Sequence, residues 1–217
     1  HLSGGYLATK RLVFLLALAL IGFMMLTACG NNKKANEADI SDPVYESDPG
    51  VKSLTEQIKN TPENAGLFFE RGKKLHKLQY DSLALRDFKT ASTLDSNKAE
   101  YYSAIGDLLF ENKDLAGSVI WIQKALAKNP EDKNARLKIA KLFLYLQDYQ
   151  KSFAEINKVL RKNPYDPEAY FLKGMIYKDL RDTAKAISSF QTVIQVAPEY
   201  RPAILQMGLL YSAKQDP

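Results

Sequence analysis

Reactive side chains are few. His76 is the single histidine besides His1, and Cys29 is the single cysteine. A lone imidazole has neither a second metal ligand nor a partner base, and a lone thiol closes no intrachain disulfide and builds no Cys-rich zinc site. The sequence holds no Gly-rich phosphate loop, no HExxH pair and no nucleophile elbow. Catalysis, a cofactor and a metal are therefore not expected. Trp121 and the 12 tyrosines could stack on bases, but most recur at spacings that serve helix packing. The run Arg71-Gly72-Lys73-Lys74 reads as a solvated helix face. The formal charge of +5 falls to +3 without Lys10 and Arg11. Because Lys and Arg alternate with Asp and Glu along the chain, no nucleic-acid footprint is expected.

The 217 residues are 46% apolar and 25% charged, the proportions of a globular chain of one or two domains. The sequence opens on His1 instead of Met and is expected to be incomplete upstream. Lys10-Arg11 precede the uncharged stretch Leu12 to Ala28, which is short for a bilayer span of about 20 residues. A basic start, an apolar core and small residues at its end match a signal peptide over 1–28. The stretch Leu26-Thr27-Ala28-Cys29-Gly30 resembles the bacterial lipobox. That resemblance implies cleavage before Cys29 and attachment of diacylglycerol to its sulfur, usually with a further acyl chain such as palmitate on the new amino group, and stable anchoring requires more than one chain. A short signal-anchor helix is the alternative. Gly30 instead of Asp after the cysteine implies, by the same resemblance, the outer membrane facing the periplasm. Residues 29–50 are rich in Asn, Lys, Asp, Ser and Pro and read as a flexible, lipidated tether.

Beyond the tether, five residue classes share a period of 34. Prolines stand at 62, 130, 164 and 198, with Ser96 in the missing slot, and small residues at Gly72, Gly106, Ala140, Gly174 and Gly208. Asp114, Asp148 and Asp182 form a third series, Phe88, Ile122, Ile156 and Phe190 a fourth, and Ala84, Ser118, Ser152 and Ala186 a fifth. This pattern resembles the tetratricopeptide repeat (TPR) family, whose unit is a pair of antiparallel helices. The resemblance implies an all-α, right-handed superhelix with repeats at 65–98, 99–132, 133–166 and 167–200 and the first helix of a fifth over 201–217. Residues 51–64 read as an N-terminal capping helix. The aspartates are placed to accept from the orphan N–H groups of each second helix, and the prolines to stop it. Arg71 and Lys173 replace apolar residues and Arg136 an aromatic; their charges are expected to reach water along the surface. The last helix shows Ile204, Leu205, Met207, Leu209, Leu210 and Tyr211, an apolar face that leads us to expect further chain after residue 217.

Without catalytic chemistry, function falls to the surface that stacking creates. The resemblance places residues of each first helix in a concave groove: Phe69, Lys73 and His76; Ser103, Asp107 and Phe110; Leu137, Lys141 and Leu144; then Phe171, Met175 and Lys178. Phe, Leu and Met anchors suit an amphipathic helix or an extended apolar peptide, unless neighbouring helices cover them. The expected function is a membrane-anchored scaffold that binds a protein or peptide partner and assembles an envelope complex. The alternatives are a regulatory module of a larger enzyme or sensor, or a cytoplasmic adaptor with a misread start.

Overall fold

The computed structural model describes residues 42–215. Cys29, the signal sequence and Asp216-Pro217 lie outside them. Eleven helices and no strand occur among the described residues. The described residues fall into two compact units, divided between Ser53 and Leu54. In the first, α1 (Val44–Ser47) precedes the head of α2 (Pro49–Asn60). Asp48 opens α2 by accepting from the backbone N–H of Gly50 and Val51, both at 2.9 Å. Val44, Tyr45 and Val51 are buried, so the expected tether does not reach residue 50. Its polar composition hides two large apolar side chains at 44 and 45, and these are enough to order the backbone around them.

The second unit contains the last turns of α2 and nine further helices: α3 (Ala65–Lys77), α4 (Asp81–Leu94), α5 (Ala99–Glu111), α6 (Leu115–Lys128), α7 (Lys133–Tyr145), α8 (Tyr149–Lys162), α9 (Pro167–Asp179), α10 (Thr183–Val196) and α11 (Arg201–Gln215). From α3 to α10 each odd-numbered helix packs on its successor, and that successor packs on the first helix of the next pair; α7 also touches α9. The close approach within a pair has a visible cause. A Cβ on Gly106 would lie 2.5 Å from Ile122 Cδ1, and one on Gly174 would lie 2.5 Å from the Phe190 ring. Ile122 and Phe190 are fully buried, each contributing roughly 1.5–3 kcal/mol by leaving water. Ser118 and Ser152 seal the same contact, their hydroxyls donating to the Gly106 and Ala140 carbonyls at 2.7 Å.

The helix ends follow the aspartate series. Asp114, Asp148 and Asp182 accept from the N–H of Gly117, Lys151 and Lys185. Asp132 and Asp166 cap α7 and α9 in the same way. The turns inside the pairs carry a feature that no glycine announces. Gln79, Lys113, Gln147 and Arg181 all have φ near +60° (66°, 65°, 58° and 59°). Each is followed by a residue whose N–H bonds five residues back, as in Asp148 N–H to the Phe143 carbonyl at 2.8 Å, the six-to-one bond of a Schellman ending.

Two substitutions of the repeat pattern resolve differently from expectation. Arg71 does not reach water: it is 5% exposed and lies against Asp87, 1% exposed. Its Nε and Nη2 donate to the two carboxylate oxygens at 2.7 and 2.8 Å, and Nη1 donates to Thr55 Oγ1 at 3.2 Å. Such a fork-on-carboxylate fit gives a buried guanidinium the partners it loses in water. Arg136 pairs with Glu155 at 2.7 Å, both largely buried at 17% and 15% side-chain exposure. One period earlier, the same two positions hold Tyr102 and Trp121, stacked with centroids 6.0 Å apart. Trp121 is thus a packing residue. Lys173 lies 5.5 Å over the Tyr170 ring.

Candidate partner-binding groove

Side chains one helical turn apart share a face, and the 34-residue period repeats that face from helix to helix. Asp107 and Phe110 on α5, Asn134, Lys138 and Lys141 on α7, and Glu168 at the head of α9 consequently converge. With Leu142 they line a cavity of about 280 Å³. One wall is aromatic. The Phe110 ring stacks on Tyr145, 5.9 Å away and inclined by only 5°. Lys141 Nζ lies 5.7 Å from the Phe110 centroid and 5.8 Å from that of Tyr145, close enough for the ring quadrupoles to hold the cation. Lys138 pairs with Asp107 across the α5–α7 boundary. The cavity thus offers a cation on an aromatic wall, an ion pair, an amide able to donate and accept, and a carboxylate. Those groups can hold the backbone and side chains of a peptide. None is a nucleophile set beside a base.

Three of the twelve sequence-selected groove residues, Asp107, Phe110 and Lys141, meet in this cavity. Leu137 and Leu144 do not belong to a groove: at 1% and 4% exposure they pack with Ala140, Ile156 and Leu172 in the core. Their repeat positions face inward because α7 is covered on that side by α8 and α9. Phe69 is half-buried between the rings of Phe88 and Tyr101, 5.5 and 4.8 Å away, with Lys73 Nζ 5.1 Å above it. Lys73 also pairs with Glu70 at 2.6 Å. Phe171 sits in the same manner between Phe190 and Tyr200, at 5.7 and 5.4 Å. Burial, with the carboxylates of Glu168 and Asp166 nearby, pushes the Tyr200 hydroxyl above its ordinary pKa.

Met175 packs against two core clusters, and Lys178 donates to Gln206 Oε1 at 2.6 Å. His76 presents Nδ1 to Asp81 at 2.8 Å and Nε2 to Glu111 at 3.3 Å, linking the first and second pairs. Among the described residues no group of His, Cys, Asp and Glu is arranged to hold a metal. Asn134, Lys138, Tyr145 and Glu168 were not selected from the sequence. A signal existed for two of them, since Asn134 and Glu168 stand 34 apart, one turn before Leu137 and Phe171. Lys138 and Tyr145 flank Lys141 by one turn on either side.

The repeat geometry now has counterparts. Family models described as tetratricopeptide repeat match residues 82–133 and 167–200. The chain carries tetratricopeptide repeats. Solved structures share the TPR fold. Residues 41 to the end of MamA from Desulfovibrio magneticus RS-1 align with a TM-score of 0.62 and 22% identity, covering 70% of this chain and 86% of that one. YrrB, described as a TPR protein with an unusual peptide-binding site, aligns at 0.60 and 21% identity over 75% of this chain and 84% of its own. A TPR protein from Parabacteroides merdae ATCC 43184 reaches 0.69 at 18% identity, covering 74% and 64%. At these identities the likeness concerns the fold. No curated protein matches the sequence.

Proposed function

We propose that this protein is a non-catalytic scaffold, anchored to a bacterial membrane through lipid on Cys29, that captures a segment of a protein partner in its first-helix groove and helps assemble a complex of the cell envelope. The observation that carries the reading is the cavity of α5, α7 and α9, where Lys141 rests on the Phe110–Tyr145 stack beside Asn134 and Glu168. A peptide there replaces water around half-exposed aromatic surface and meets donors and acceptors already held by rigid helices. The TPR fold supports a binding role, and one structural neighbour is itself described by a peptide-binding site. The lipobox-like stretch before Cys29 supports the anchor, and Gly30 supports the outer membrane facing the periplasm.

The test is affinity capture from cross-linked envelopes with the full chain. Phe110→Ala combined with Lys141→Glu is expected to reduce the captured partner about tenfold or more, equivalent to roughly 1.4 kcal/mol, with the circular dichroism unchanged. Lys113→Ala, in an exposed turn, is the control. Equal capture by both variants removes the groove from the mechanism. Labelled palmitate is expected to enter the wild type and not Cys29→Ser, and label retained in that variant overturns the anchor.

A further inference from the structure

A second recess lies on the opposite, second-helix face. It has a volume of about 360 Å³ and is walled by α6 and α8 with α7 beneath. Its floor is apolar, made by Ile139 and Phe143 with Leu126 and Ala154 at the sides. Its rim carries Arg136, Lys151 and Lys158, with Glu155 the one carboxylate among the lining residues. Lys151 Nζ lies 5.5 Å over the Phe143 ring, so the rim cation and the apolar floor are one surface. Glu155 is already engaged twice, by Arg136 at 2.7 Å and by Lys158 at 2.6 Å.

The rim gathers cations that are dispersed along the sequence. α7 contributes Arg136 and α8 contributes Lys151 and Lys158 against Glu155 alone. Asp148, just outside α8, engages Lys151, so the rim keeps one net positive charge. The neighbouring second helices differ: α4 balances Asp81 and Asp87 with Arg86 and Lys89, and α10 has a single charge, Lys185.

We infer that this recess is a docking site for an acidic protein segment, one large apolar side chain entering the cavity while flanking Asp and Glu residues meet the lysine rim. The site is separate from the first-helix groove and is not needed for the function proposed above. The apolar floor favours such a segment over a polyanion backbone, which brings charge but no anchor. A lipid headgroup surface is flat and has no use for a recess of this depth. Steering by the positive rim speeds encounter, and the anchor supplies the short-range selection.

The probe is a fluorescein-labelled peptide with a central Leu-Phe pair flanked by four glutamates on each side, titrated by anisotropy against the detergent-solubilised full chain. Saturable binding that weakens with salt is expected. Lys151→Glu with Lys158→Glu is expected to weaken it about tenfold or more, as is Ala154→Trp, which fills the recess without changing charge. Lys141→Ala in the other groove should leave it unaltered. Absence of saturable binding overturns the inference, as does a loss caused by Lys141→Ala in place of the α8 variants. It is equally overturned if Ala154→Trp binds normally, or if duplex DNA or phosphatidylserine vesicles compete as well as the unlabelled peptide, because charge alone then explains the binding.

Discussion

Position 87 and its counterparts one period apart, 121, 155 and 189, are Asp, Trp, Glu and Ser. They meet three kinds of partner: a guanidinium at 87 and 155, a tyrosine ring at 121, and at 189 a backbone carbonyl, to which Ser189 donates at 2.8 Å. The backbone geometry is constant while the chemistry changes, so each residue is readable only with its mate. Arg71 and Asp87 give the sharpest case. Asp87→Ala leaves a desolvated cation and should cost about 3–5 kcal/mol, whereas Arg71→Leu with Asp87→Leu should be nearly neutral or mildly stabilising. Urea denaturation of the two variants measures the difference. Equal losses would mean that the pair acts through packing and not through charge.

Among the elements, the ends are more regular than the faces. Each of the four intra-pair turns combines one residue in the left-handed region with a six-to-one backbone bond, and in three of them the residue after it is the aspartate that caps the next helix. Asp148 and Asp182 accept from the ammonium of Lys151 and Lys185 at 2.6 Å as well as from their backbone N–H. These bonds, the ammonium contact first, hold both carboxyls below their ordinary 3.8. A carboxyl lowered by folding stabilises fully above 3.8, and the effect is lost as pH falls through the folded value beneath it. Asp148→Asn with Asp182→Asn keeps a good cap and removes the charge. The variant should therefore be less stable than the wild type at pH 7, with the gap closing below pH 3.8. A gap that persists at pH 2 would show that the cap's charge is not its source.

At the scale of the whole chain, each TPR pair touches only its neighbours, so stability should be near the sum of unit and interface terms. Deleting residues 133–166, one full period, should join α6 to α9 in register and leave a helical protein that melts earlier in a single transition. Deleting 133–149, half a period, places second-helix residues against second-helix residues and should abolish cooperative unfolding. Circular dichroism melts distinguish the two, and similar melts for both deletions would contradict nearest-neighbour stacking. The same stacking creates the two faces. Arg136 of α7 and Lys151 and Lys158 of α8 come together on one side, while Asp107 and Lys138 meet on the other.

The period of 34, the helix pairs and the capping aspartates were all legible in the sequence, because each depends on spacing that local backbone geometry translates directly into a face. Partnership was not legible. Arg71 looked like a surface residue until Asp87, 16 positions away, supplied its carboxylate. Leu137 and Leu144 looked like groove anchors until α8 and α9 covered them. The charge alternation along the chain concealed the cluster of Arg136, Lys151 and Lys158, since the packing of α7 on α8 brings them to one rim. Sequence spacing determines which residues share a side of one helix. Only the packing of one helix against the next decides whether that side meets water, a counter-charge or the core.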